Sequence, residues 1–97
     1  MKIKVRPTNH FLKRLWERGF YQCNIEKITK GISVQNQKTI FLFSYEILKA
    51  KGVEIDKNEY LIIVVKGNLL VTIFTIKDIW EYLKTQQNCQ FIFNPLN

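Results

Sequence analysis

Residues Tyr60 to Ile76, YLIIVVKGNLLVTIFTI, decide the fold. Two runs rich in β-branched and aromatic residues flank Gly67-Asn68, a pair that tolerates positive φ. The stretch therefore reads as an antiparallel hairpin with strands at Tyr60–Lys66 and Leu69–Ile76. Both runs are nearly continuous in apolar character, which makes them central strands covered on at least one face, with helices as the cover.

Working outward, Lys77 to Gln86 has the spacing of a helix that buries Ile79, Trp80 and Leu83, and Asp78 near its start suits the helix dipole. Gln90 to Phe93, QFIF, reads as a short strand closed by Asn94-Pro95. Upstream, Thr39 to Tyr45 favours a strand running into an irregular or helical turn that ends at Gly52. The polar segment Ser33 to Lys38, SVQNQK, reads as a loop. Asn24 is placed to cap a short helix that buries Ile25, Ile28 and Ile32 and stops at Gly31; Phe20 and Tyr21 form the corner before it. The opening MKIKVRP alternates lysines with Ile3 and Val5, as in a short edge strand ended by Pro7.

Between these lies Thr8 to Gly19, TNHFLKRLWERG, the clearest helix in the chain. Thr8 is a good N-cap and Gly19 a good stop, and Phe11, Leu12, Leu15 and Trp16 recur as one apolar face. On another face His10, Arg14 and Arg18 stand four residues apart, a row rising about 6 Å per step. A helix face built only for solubility usually interleaves acids with bases. Here Glu17 is the sole local counter-charge.

The 97 residues suffice for a single domain spanning 1–97, and 46% apolar with 13% aromatic content is that of a folded chain. Fifteen Lys and Arg against eight Asp and Glu give a net charge of +7, which favours polyanionic partners. With no bilayer-spanning or signal-peptide run, nucleic acid is favoured over a membrane. Cys23 and Cys89 are far apart and outside any CxxC pair; free thiols in a reducing cytoplasm are the default reading, a disulfide the alternative if the chain is exported. One histidine and no clustered carboxylates leave a metal centre without ligands.

The segment HFLKRLWERGF from His10 to Phe20, the strand YLIIVVK and VTIF from Val71 to Phe74 resemble small bacterial domains of uncharacterised function. Those domains carry an H-x-x-x-R-x-x-x-R-G helix and a closing strand reading roughly V-T-V-Y, and look like relatives of the RelE and ParE toxins and of barnase, EndoU and colicin-type ribonucleases. The likeness covers Thr8 to Ile76, its specific part being His10, Arg14, Arg18, Gly19 and Thr72. It implies an α+β fold, two N-terminal helices packed on a mainly antiparallel sheet, to which this chain adds a C-terminal helix and short strand. The segment from Ser33 to Asp56 is longer than the resemblance would have it, and Lys77 stands near where some members have proline.

The activity so implied is metal-independent, cofactor-free endoribonucleolytic cleavage of tRNA or mRNA by 2′-OH attack, in a toxin restrained by a cognate antitoxin or immunity protein. His10 would transfer a proton, Arg14 and Arg18 would bind phosphate oxygens, and Thr72 would orient the phosphate or a water. Thr75 is nearly as good a candidate, though odd spacing puts the two hydroxyls on opposite sheet faces. Lys13, Lys38 and Lys66 are assigned to contacts with the RNA backbone, and Tyr21, Tyr45 and Tyr60 are available to stack bases. The site of action is cytoplasmic, reached either from an independent gene or as the excised end of a larger exported toxin. The alternative is a non-catalytic module of the same fold that binds RNA or, as ParE-type proteins do, a protein target. An antitoxin or immunity role has the wrong sign of net charge.

Overall fold

The computed structural model describes residues 5–20 and 23–95. The elements run β1 (Arg6–Pro7), α1 (Asn9–Glu17), α2 (Cys23–Thr29), β2 (Gln35–Phe43), α3 (Tyr45–Ala50), β3 (Tyr60–Gly67), β4 (Leu69–Ile76), α4 (Ile79–Lys84) and β5 (Gln90–Phe93). The chain is thus α+β. The start of the expected first strand and the corner at Tyr21 lie outside the described residues.

The hairpin forms as its sequence predicts. Tyr60 pairs with Ile76, Ile63 with Ile73 and Lys66 with Leu69, and Gly67, at φ 61°, takes the positive dihedral that the two-residue turn requires. The register shifts between Val64 and Val65, which oppose Thr72 and Leu70 respectively, so Val71 is an extra residue and makes a β-bulge. The hairpin sits inside a five-stranded sheet of order β1-β4-β3-β2-β5. That sheet is antiparallel through β2, β3 and β4 and mixed at its margins: β1 lies parallel to β4, and β5 parallel to β2. Both parallel partners are short strands at the sheet margins, joined to their neighbours through intervening elements, and propensity carries no information about such distant pairings.

Alternation of side chains gives the sheet two apolar faces. On one, Phe41, Phe43, Leu61, Ile63, Val65, Leu70 and Ile73 pack with Phe11 and Leu15 of α1, Ile28 of α2 and Leu48 of α3. On the other, Ile40, Leu42, Ile62 and Val64 pack with Ile79 of α4, and Phe74, Tyr82 and Leu83 lie against them. Covered on both sides, β3 is buried from Leu61 through Val65, which accounts for its unbroken run of aliphatic residues.

The ends of α1 follow from three residues. The Thr8 hydroxyl accepts from the Phe11 N–H at 3.1 Å. At the other end Gly19, at φ 80°, donates to Trp16 O while Phe20 donates to Leu15 O, each at 3.0 Å. This Schellman arrangement buries Phe20 in the same cluster as Leu15. Gly52, also at φ 80°, ends α3 in the same manner, with Val53 donating to Leu48 O at 2.8 Å. α2 stops at Thr29, short of Gly31, and begins at Cys23, so Asn24 lies inside the helix rather than capping it.

Three expectations are corrected. Trp16 is 74% exposed and Trp80 73% exposed, so neither belongs to the core. At about 100° per residue, Trp16 stands roughly 120° from the middle of the face set by Phe11 and Leu15, and the apolar stripe read from sequence was too wide. The polar segment before Thr39 is strand from Gln35 onward. Its pairing is irregular, with Gln35 opposite Gly67 and the register shifted before Thr39, so residues 36–38 are exposed and read as loop.

Candidate functional site

Thr8 places α1 on the sheet. Its N–H and its hydroxyl both reach Leu70 O, at 3.1 and 3.0 Å, and the hydroxyl also lies 3.2 Å from Val71 O. These contacts fall at the end of β1, which pairs only with Leu69 and Leu70. Beyond the bulge at Val71 the outer margin of β4 has no partner strand among the described residues.

The row on α1 overlooks that margin. His10, Arg14 and Arg18 line one solvent-open hollow of about 260 Å³ together with Thr72, Ile73 and Phe74. Successive strand residues point to opposite faces. A wall made of three in succession is therefore the side of β4, not one of its faces. The register explains how Thr72 reaches it: Thr72 opposes Val64, which packs on the α4 face, yet at the margin beside the bulge it borders the hollow. All four residues singled out by sequence for catalysis thus meet at one place.

Arg14 donates to Glu17 Oε2 at 3.2 Å, an exposed ion pair within the helix, worth at most about 1 kcal/mol. Arg18 makes no ion pair among the described residues. It also lines a second hollow, of about 240 Å³, with Phe20, Glu54, Ile55, Asp56, Glu59 and Thr75. Thr75 opposes Leu61 on the helix-rich face, as the odd spacing from Thr72 requires. Each threonine therefore borders a hollow, and Arg18 borders both.

The carboxylates of the second hollow were not singled out by sequence. The signal was present, since VEIDKNEY holds three of the chain's eight acids immediately before the hairpin. Nothing in the spacing, however, shows that the segment returns to the end of α1. Among the described residues no group of three His, Cys, Asp or Glu gathers as a metal-ligand set.

The structure does not bring the three lysines to the row. Lys13 is exposed on α1, Lys66 is exposed at the hairpin end of β3, and Lys38 on β2 reaches Gln86 Oε1 at 3.5 Å; none borders the hollow. Of the tyrosines, Tyr45 lies under the Lys49 ammonium at 5.9 Å and Tyr60 packs 6.0 Å from Phe93, both away from the hollow. Cys89 is a free thiol. No helix of the described residues is long and apolar enough to cross a membrane. No protein family, curated protein or solved structure compared with the chain matches it.

Proposed function

We propose that this chain is a metal-independent endoribonuclease whose scissile phosphodiester lies between the α1 row and the margin of β4. The observation that carries the reading is the convergence of His10, Arg14, Arg18 and Thr72 on one solvent-open hollow. In the reaction the ribose 2′-oxygen forms a bond to phosphorus as the bond to the 5′-oxygen breaks, leaving a 2′,3′-cyclic phosphate and a free 5′-hydroxyl. One proton leaves the 2′-hydroxyl and one is delivered to the 5′-oxygen. The His10 imidazole serves one of these transfers, since its ring nitrogens can either accept or deliver a proton. Arg14 and Arg18 hold the non-bridging oxygens through planar forks and offset the charge that grows on them. The Thr72 hydroxyl orients the phosphate. Solvent water, to which the hollow is open, accepts or delivers the proton of the other transfer.

Within this reading the substrate is tRNA or mRNA, the site of action is cytoplasmic, and the protein is a toxin held in check by an acidic inhibitor. Purified protein incubated with total tRNA and with mRNA, beside His10→Ala, tests it. Cyclic-phosphate ends produced by the unmutated chain and lost in the variant support the nuclease; equal cleavage by both removes His10 from the mechanism.

Arg18, exposed and in no ion pair among the described residues, favours a second reading, a non-catalytic module whose arginine row docks RNA or an acidic protein. Such a module binds RNA in a steeply salt-dependent way without cutting it. Absence of RNA binding at low salt leaves only the protein partner.

A further inference from the structure

The sheet has a second open margin. Among the described residues β5 is the outermost strand on the side away from the α1 row, and its free edge carries no charged side chain to keep another strand away. No charged residue occurs from Thr85 to Asn97, in a chain whose net charge is +7. Phe91 and Phe93 are 41% and 56% exposed. They oppose Ile40 and Leu42, so both belong to the α4 face of the sheet, while Ile92 opposes Phe41 on the helix-rich face. The strand is firmly held: Phe93 packs on Tyr60, the Asn94 N–H donates to Leu42 O at 2.7 Å, and Asn94 Oδ1 accepts from the Ser44 N–H at 2.8 Å.

We propose that this edge is the interface of a symmetric dimer in which β5 of two copies pair antiparallel. Charge selects the occupant. Two molecules of +7 repel wherever their lysines and arginines meet, and β5 with its flanks offers a contact free of that repulsion. Register supports the same partner. The Asn94 N–H turns inward to Leu42, so across the trans peptide the Phe93 carbonyl turns outward. By alternation the N–H and C=O of Phe91 and Phe93 face the free edge.

A twofold axis through Ile92 then sets Phe91 of each copy opposite Phe93 of the other. These are hydrogen-bonded positions, and the phenylalanines of both copies share one face of a continuous sheet. A slip of one residue would oppose Phe91 to Ile92, whose side chain belongs to the other face, so the register is self-selecting. The dimer leaves β4 and its hollow open at both outer ends.

Sedimentation equilibrium of the full chain at moderate salt tests this, with a reversible monomer–dimer equilibrium as the expected result. Phe93→Lys, at an exposed position, sets a charge against Phe91 of the other copy and brings two lysines to the same face beside the axis, and weakens association at least tenfold. Trp80→Lys, at a still more exposed aromatic on α4, leaves it unchanged. Thermal melting of both variants checks the fold, and Phe91→Lys repeats the measurement should Phe93→Lys melt early. A chain that stays monomeric at every attainable concentration overturns the proposal. So does a dimer insensitive to both phenylalanine changes, or one that Trp80→Lys abolishes equally.

Discussion

Thr8 and Leu70 are joined twice, the N–H and the hydroxyl of Thr8 both donating to the Leu70 carbonyl oxygen, at 3.1 and 3.0 Å. The same hydroxyl oxygen accepts from Phe11 N–H and so caps α1. One side chain therefore starts the helix and fixes it to β4 just before the bulge. His10 stands two residues past Thr8, and Thr72 two residues past Leu70, so this clamp sets the row against the strand margin.

Thr8→Ala should destabilise the protein by about 1–2 kcal/mol, since it removes the cap and a part-buried hydrogen bond together. Thr8→Ser keeps both and should recover most of that loss. Urea denaturation of the three proteins makes the comparison.

His10 and Arg18 are exposed, so replacing either with alanine should leave stability within about 0.5 kcal/mol. His10→Ala should lower RNA cleavage by about 10²–10⁴-fold. Arg18→Ala should weaken RNA binding and reduce the slope of log affinity against log salt by about 1. Single-turnover cleavage and salt-titrated binding separate the two effects.

Glu17 competes with phosphate for Arg14. Glu17→Gln should therefore tighten RNA binding about two- to fivefold while changing stability by less than about 1 kcal/mol, because the pair is exposed. Binding titrations at low salt, set beside urea melts, read both quantities.

Both tryptophans lie in solvent. Intrinsic fluorescence of the native protein should already be red-shifted and should move little on unfolding, so circular dichroism is the better reporter. Trp16→Ala and Trp80→Ala should each shift stability by under about 0.5 kcal/mol, whereas Ile63→Ala in β3 should cost about 2–5 kcal/mol.

Burial, with the nearby Cys89 charge adding to it, raises the Tyr82 phenol above its ordinary 10.0. A folded-state value above the unfolded one means the native form holds its proton more tightly. The resulting stability is complete below pH 10 and is lost as pH rises through the folded value. Tyr82→Phe, which keeps the edge-on ring contact with Phe74, should narrow the loss of stability between about pH 8 and about pH 11. Denaturation midpoints measured across that range give the test.

The hairpin, α1 with both of its ends, α4 and β5 were legible because each is specified by local chemistry: turn residues, caps and apolar periodicity. The row on α1 could be read for the same reason, since i, i+4 spacing needs no tertiary information. Thr72 was reached through resemblance. The bulge at Val71, which accompanies its place at the strand margin, leaves no mark in residue type. Glu54, Asp56 and Glu59 were missed because only the folding of a connecting segment back against Arg18 gives them a role. The parallel pairings of β1 and β5 were hidden likewise, since each joins segments tens of residues apart. Trp16 departs from its pattern for another reason: hydrophobicity does not ensure burial, and an indole at the rim of an apolar stripe can face water.

β1 ends after two residues because Thr8, whose N–H still donates to Leu70 O, caps α1 and turns the chain into the helix. Four more residues of pairing in the same register would have sealed the flank of Thr72, Ile73 and Phe74 and laid the helix over a finished surface. The recess thus comes from an interruption, a strand stopped early, and its mouth can be widened or shut by altering where that stop falls while the central hairpin stays untouched.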